Sequence, residues 1–282
     1  MTAPPGLPPR SLLYVPADNA RFLARAAERS ADWVILDLED GVAPAARDGA
    51  RAGLAQWLPR LAAVGTLAAV RIDSDPLRRN EDTRAAVAAG AVAVVVPKAS
   101  AAGLAAVEAV IAGAAAGRPA PGIIGIVEDA AALGDLPAIA ASPGLWGLMV
   151  GGEDMALSLG AEPLPEVLHL PRLLTHYAAR ARGLWSFGLM RSIADWSDRA
   201  ALSEAAAAAR RMGFDGATCV HPAAVPLLNA GFLPSPDEVA AARRVVEAAA
   251  TRAGAFALDG RMVDAPVVAR ARRVLDRADR GT

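Results

Sequence analysis

Eight short, continuously apolar runs recur along this chain, and they restrict its fold more than any single motif does. They are Ser11–Val15, Trp33–Leu36, Ala69–Ile72, Ala93–Val96, Ile123–Val127, Gly147–Val150, Leu184–Phe187 and Gly216–Val220. A strand with one wetted face alternates polar and apolar residues. Runs without that beat are covered on both faces, as in a parallel sheet. The segments between them, such as Asn19–Ser30, Ala45–Leu58, Ala101–Ala116, Ala131–Ala141 and Asp198–Met212, are rich in Ala, Leu, Arg and Glu and long enough for crossover helices. Eight β/α repeats in about 220 residues predict a closed TIM (β/α)8 barrel rather than an open doubly wound sheet. No GxGxxG follows the first run, which argues against a dinucleotide site.

After the eighth run the repeat stops. Pro234-Ser235-Pro236-Asp237 reads as a turn with an N-cap before a helix over Glu238–Arg252. A polar turn over Asp259–Pro266 and a last helix over Val267–Ala278 follow. The expected organisation is a barrel domain over residues 1–232 and a helical extension over 233–282. That extension is too poor in apolar surface to fold alone, so it is expected to pack on the barrel or on a neighbouring subunit.

Composition narrows the function classes. Of 282 residues, 29 are basic and 30 acidic, and the two signs are interspersed. A clustered basic face, the mark of nucleic-acid binding, is missing from this pattern. The single Cys219 excludes an intrachain disulfide and fits a reducing cytoplasm. The first residues, Met1–Pro5, lack an apolar signal core, and no stretch reaches the roughly 20 apolar residues of a membrane span. Lys98 is the only lysine; every other basic residue is arginine.

In a barrel of this kind chemistry sits where the strands end. Strand 2 runs into Asp37-Leu38-Glu39-Asp40-Gly41, strand 3 into Arg71 and Asp73, and strand 4 into Pro97-Lys98. Strand 5 runs into Glu128 and strand 6 into Gly151-Gly152-Glu153-Asp154, with His221 after strand 8. Glu128 and Asp154 bring two hard oxygen ligands to one rim, which suits Mg²⁺ or Mn²⁺; helix capping is the competing reading of each. Arg71 is either a fork for a substrate carboxylate or the partner of a nearby acidic side chain. The Asp37–Asp40 cluster either works at the site or solvates a loop. Gly151-Gly152 is either a plain turn or a place where backbone meets ligand, and His221 is either a structural histidine or a base.

These residues, taken in order, resemble a known family. Arg10–Pro16, Leu36–Val42, Val70-Arg71-Ile72, Val96-Pro97-Lys98, Glu128, Gly152-Glu153-Asp154, Gly213–Gly216, His221-Pro222 and Asp259–Asp264 occur as they do in the citrate lyase β-subunit-like branch of the HpcH/HpaI aldolase superfamily. That branch also holds malyl-CoA and citramalyl-CoA lyases, and the likeness spans roughly residues 10 to 275. The resemblance implies a Mg²⁺ site at Glu128 and Asp154 and a substrate carrying coenzyme A or an acyl-carrier thioester. It implies that Arg71 holds substrate oxygens and that Glu39 and Asp40 bind metal waters. It further implies that Arg10 lines the substrate entrance, that Lys98 and Gly152 contact substrate, and that Asp264 moves a proton at the thioester α-carbon. A homo-oligomer, trimer or hexamer, goes with it.

This chain departs from the family pattern at Ala17, at Asp73, which sets a negative charge beside Arg71, and through Trp185–Arg191, where the family carries an aspartate. The expected reaction is Mg²⁺-dependent cleavage or formation of a 3-hydroxy-carboxyacyl thioester, giving an acyl thioester and a 2-oxo acid. Two alternatives remain: a Schiff-base aldolase using Lys98, and a subunit that works only with an acyl-carrier protein complex.

Overall fold

A computed structural model describes residues 6–115, 117–192, 196–252 and 254–279. Met1–Pro5, where no signal core was expected, and Ala116, the expected end of one helix, lie outside the described residues. Eight parallel strands carry the fold: β1 Ser11–Pro16, β2 Trp33–Asp37, β3 Leu67–Arg71, β4 Ala93–Val96, β5 Gly122–Val127, β6 Leu145–Val150, β7 Trp185–Phe187 and β8 Ala217–Cys219. They pair in sequence order, with β8 returning beside β1. A bridge between Phe187 and Gly216 draws β7 to β8, helped by Gly188 N–H donating to Gly216 O at 2.9 Å and Asp215 N–H to Ser186 O at 2.8 Å. The result is the expected TIM-type barrel, nearly closed.

The helices are α1 Ala20–Ala24, α2 Arg47–Ala63, α3 Pro76–Ala89, α4 Ala101–Ala115, α5 Ala130–Gly134, α6 Leu136–Ala140, α7 Gly152–Ser158, α8 Pro165–Ala181, α9 Arg199–Met212, α10 Val225–Gly231, α11 Pro236–Ala250 and α12 Ala265–Ala278. Two expected helices are shorter than their patterns. Asn19–Ser30 ends its α-helical part at Ala24, and Ala131–Ala141 divides at Asp135, ahead of Pro137, which sits in the first turn of α6. No helix among the described residues is long and apolar enough to cross a membrane.

Register determines which side chains share the barrel interior. Leu12 pairs with Trp33, Tyr14 with Ile35 and Pro16 with Asp37; Ile35 in turn pairs with Ala69 and Asp37 with Arg71. With a period of two along each strand, the lower rows hold Leu12, Trp33, Ile35, Ala69, Ala93 and Ile124, all buried in one cluster. Trp185 fills its centre, edge-on to Trp33 and Trp146 at 5.9 Å and to Phe187 at 6.1 Å. Small residues make the room: a Cβ on Gly122 would fall 1.9 Å from the Trp146 ring. The same interior columns continue upward into Asp37, Arg71 and Glu128, so the apolar plug forms the floor of a charged rim.

The chain divides into two compact units, Met1–Asn229 and Ala230–Thr282. In the second, Ser235 and Glu238 form a capping box on α11, and α11 packs along α12. The segment read from sequence as a polar turn is a hairpin instead: β9 Phe256–Leu258 and β10 Arg261–Val263 pair antiparallel. Asp259 and Gly260 between them take φ of 51° and 74°, the left-handed pair that a type I′ turn demands.

Candidate active site

The upper rim of the barrel encloses a cavity of about 490 Å³ whose walls include Tyr14, Asp37, Arg71, Glu128, Asp154 and Arg172. Arg71 organises one side. Its Nε and one terminal nitrogen each donate to Asp37 at 2.7 Å, a bidentate fork. The other terminal nitrogen lies 3.1 Å from Glu39 and 3.0 Å from Asp40. The Tyr14 ring lies 4.9 Å from the guanidinium carbon. Of the two sequence readings of Arg71, pairing with neighbouring carboxylates is the one seen.

Asp37 is the residue that sequence reasoning undervalued. It also accepts the N–H groups of Glu39 at 3.0 Å and Gly41 at 2.9 Å, so it holds the β2–α2 loop as well as the guanidinium. Its position opposite Arg71 at the last rung of two parallel strands was the available signal. Asp73, expected to load negative charge beside Arg71, turns away and pairs with Arg47 at 2.5 Å. Arg47 in turn donates to the carbonyls of Val42 and Glu39, pinning the same loop.

Glu128 is buried and its Oε1 accepts the backbone N–H of Lys98 at 2.7 Å. The capping reading belongs to its neighbour: Asp129, not Glu128, caps α5, accepting from Ala131 N–H at 2.7 Å. Asp154 is half-buried in the first turn of α7 and takes no part in a side-chain cap there. Gly151 is what lets Glu128 reach this place, since a Cβ there would sit 2.4 Å from Oε2. Burial pushes the Glu128 carboxyl up to about 7, and the Asp154 charge adds to that, opposing the Lys98 N–H bond and Arg71. Glu39 goes higher, to about 8: burial outweighs Arg71, while Asp40, Glu128 and Asp37 raise it further. Asp37, Glu39 and Asp40 thus surround the Arg71 guanidinium, and Glu128 lies within its field.

Three expected site residues are engaged otherwise than expected. Arg10 precedes β1, so it stands at the opposite end of the barrel, where its guanidinium forks onto Asp32 at 2.8 Å in two bonds. Arg10 is not among the residues that line the cavity. Lys98 contributes its main chain; its side chain is exposed, which removes the burial a Schiff-base lysine needs. Asp264 belongs to the second unit, where it caps α12 by accepting from Val267 N–H at 3.2 Å. Gly152 lines the cavity. His221 accepts Ala223 N–H and stacks on Trp196 at 3.7 Å, a structural placement. Burial raises the Cys219 thiol to about 12, which leaves it unreactive.

A family model described as HpcH/HpaI aldolase/citrate lyase matches residues 10–222. The (3S)-malyl-CoA thioesterase of Cereibacter sphaeroides (strain ATCC 17029) is 34% identical over 285 residues, with 96% of this chain and 95% of that protein covered. Citrate lyase subunit beta of Escherichia coli (strain K12) is 35% identical, over 96% of this chain and 93% of its own length. Among solved structures, the protein CitE from Mycobacterium tuberculosis in complex with magnesium, acetoacetate and coenzyme A superposes with a TM-score of 0.79 at 32% identity, covering 95% of this chain and 97% of that one.

Proposed function

We propose that this chain, which belongs to the HpcH/HpaI aldolase/citrate lyase family, is a Mg²⁺-dependent carbon–carbon lyase acting on a 3-hydroxy-carboxyacyl thioester of coenzyme A. The products are an acyl thioester and a 2-oxo acid, or the reverse reaction joins them. The observation that carries this reading is the excess of carboxylate at the rim. Glu128 and Asp154 both line the cavity, where burial and the Asp154 charge disfavour the ionised form of Glu128. A hard divalent cation relieves that repulsion and matches an all-oxygen donor set. Among the described residues no three His, Cys, Asp or Glu side chains close into a cage. Water and substrate oxygens therefore complete the shell, as suits Mg²⁺.

Glu128 and Asp154 would hold a magnesium ion, which would supply Lewis-acid stabilisation to the substrate hydroxyl and its neighbouring carboxylate. Arg71 adds positive charge to those oxygens, and Asp37 fixes the plane in which the guanidinium presents itself. Glu39, raised to about 8, holds a proton at neutral pH on an oxygen beside Arg71. Together with Asp40 it orders the water around the metal site. The proton at the thioester α-carbon is assigned to Asp264, supplied from a neighbouring subunit of a homo-oligomer.

The test is direct. Purified chain with Mg²⁺ and citryl-, malyl- or citramalyl-CoA should yield 2-oxo acid, trapped as its phenylhydrazone, in step with acyl-CoA. EDTA should stop it, and Glu128→Ala and Asp154→Ala should stop it while the barrel stays folded. Full activity in either variant refutes the assignment. Free CoA without 2-oxo acid would instead mark thioester hydrolysis, the activity named for the Cereibacter relative. Turnover only on an acyl-carrier thioester would mark a complex-dependent subunit, as the E. coli relative's name suggests.

A further inference from the structure

Residues of α8 and β7 line the cavity, and α8 holds buried polar atoms without hydrogen-bond partners. Arg172 is only 7% exposed. One of its terminal nitrogens donates to Arg191 O at 3.2 Å, while the other has no hydrogen-bond partner. Thr175, three residues on and so on the same helix face, is 2% exposed, and its Oγ1 is likewise unpartnered. Both line the cavity that Glu128 and Asp154 line. The next polar side chain along, His176, is satisfied by Ser186 at 2.9 Å, which narrows the orphaned atoms on α8 to this pair. Buried donors are almost always paired in folded proteins, and a buried guanidinium more so. Two unpaired buried groups on residues that line a cavity mark a place where a ligand would supply the missing partners.

We infer that Arg172 and Thr175 form a second anion subsite, which takes a carboxylate that the substrate carries beyond the group held at Glu128 and Asp154. The identity of that substrate rests on the lyase reading; the subsite itself does not. A carboxylate fits because a guanidinium nitrogen and a hydroxyl both donate to it, and because burial this deep admits a small planar anion. The two poles are close. A Cβ on Gly151 would sit 2.4 Å from Glu128 Oε2, and one on Gly152 would sit 3.4 Å from the Arg172 nitrogen that donates to Arg191 O. Adjacent Cα atoms are 3.8 Å apart, so carboxylate and guanidinium lie less than about 13 Å from each other. Glycine at 152 also keeps the passage open, since a methyl there would press on Leu168 at 3.1 Å. Glu153, the acidic group whose field reaches Arg172, is exposed and accepts from Ser192 Oγ at 3.1 Å, so it leaves the inward nitrogen free. The 2-oxo acid released is therefore of the dicarboxylic class rather than a monocarboxylate.

Calorimetric titration of the full chain in Mg²⁺ with malate and with lactate tests this without turnover, because the two share a 2-hydroxy acid head and differ by the terminal carboxylate. Wild type should bind malate about tenfold to a hundredfold tighter, the scale of one or two charge-assisted hydrogen bonds. Arg172→Met should bring malate down to the lactate level while leaving lactate and Mg²⁺ affinities within about twofold, and Thr175→Val should give part of that loss. Ligand-free Arg172→Met should melt no lower than wild type, since an unpaired buried charge has been exchanged for an apolar chain. A lower melting temperature with equal losses for both ligands would show a merely structural arginine and overturn the subsite. So would an unchanged malate preference in Arg172→Met, or a wild type that binds neither acid. If the malate preference and its loss hold but no CoA ester is cleaved, the lyase reading falls and the subsite stands.

Discussion

Asp37 and Arg71 are register partners at the last rung of β2 and β3, joined by two hydrogen bonds of 2.7 Å. The pairing is a direct product of the fold: parallel alignment of two apolar runs leaves their terminal charged residues side by side. Both are mostly buried, so removing one strands the other. Asp37→Ala should lower stability by about 3–5 kcal/mol, the usual effect of breaking a buried ion pair, as read from urea unfolding. It should also lower kcat/KM, because Arg71 loses the anchor that sets its plane. A stability loss below about 1 kcal/mol, the range of exposed pairs, would show that the pair is solvated in solution.

The raised carboxyls give the rim a pH dependence of unusual sign. Glu39 and Glu128, at about 8 and 7, stand above their unfolded value of 4.5. Between 4.5 and 8 the folded chain therefore holds protons that the unfolded chain has released, and these two groups contribute less stability as pH rises. Without divalent cation the melting temperature should fall between pH 5 and 8 through their contribution. Mg²⁺ should reverse it: the metal needs the ionised carboxylate, so the Mg²⁺-induced rise in melting temperature should grow over the same interval. Glu128→Gln should lessen the metal-free slope, leaving the Glu39 part, and abolish the Mg²⁺ effect. Differential scanning calorimetry with EDTA and with Mg²⁺ reads both, and a Mg²⁺ effect largest at pH 5 would contradict this assignment.

Much of this was written plainly in the sequence, and the reasons are physical. Strands covered on both faces leave unbroken apolar runs, so all eight could be located, and the residues that follow them mark the rim. The place of Glu128 and Asp154 in the cavity wall could be read for that reason. Position alone says nothing about which end of a strand a charge occupies unless direction is considered. Arg10 precedes its strand and so belongs to the far end, beside Asp32. Arg172 was invisible because it lies within a helix, in a chain where arginine is nearly the sole base; only burial distinguishes it from a surface residue. The β9–β10 hairpin hid behind three-residue strands, although Asp259-Gly260 is its usual turn pair.

Lys98 separates main-chain from side-chain function. Its φ of 47° is left-handed, a conformation that glycine takes without the roughly 1 kcal/mol strain of other residues. Its N–H, which glycine keeps, is what reaches Glu128. Lys98→Gly should therefore retain Mg²⁺-dependent turnover and melt slightly higher. Borohydride with a 2-oxo acid should leave no adduct on the wild-type lysine by mass spectrometry; a trapped adduct would revive the Schiff-base alternative.

The adjacent glycines at 151 and 152 should respond differently to one added methyl. At 151 the methyl carbon would lie 2.4 Å from Glu128 Oε2, 3.0 Å from its Cβ and 3.1 Å from Ile126 Cγ2. The carboxylate is the movable party, so Gly151→Ala should fold, with Glu128 turned off the Lys98 N–H and out of the metal position. Mg²⁺ affinity should drop by at least about tenfold, the scale on which misplaced ligand support weakens a metal site. At 152 the methyl would meet Leu168 at 3.1 Å and Arg172 at 3.4 Å and approach neither metal carboxylate. Gly152→Ala should keep Mg²⁺ affinity and lose substrate affinity. Titrating both variants with Mg²⁺ and then with malate separates the two poles of the cavity. Equal Mg²⁺ affinities in the two variants would mean that Glu128 does not hold the metal.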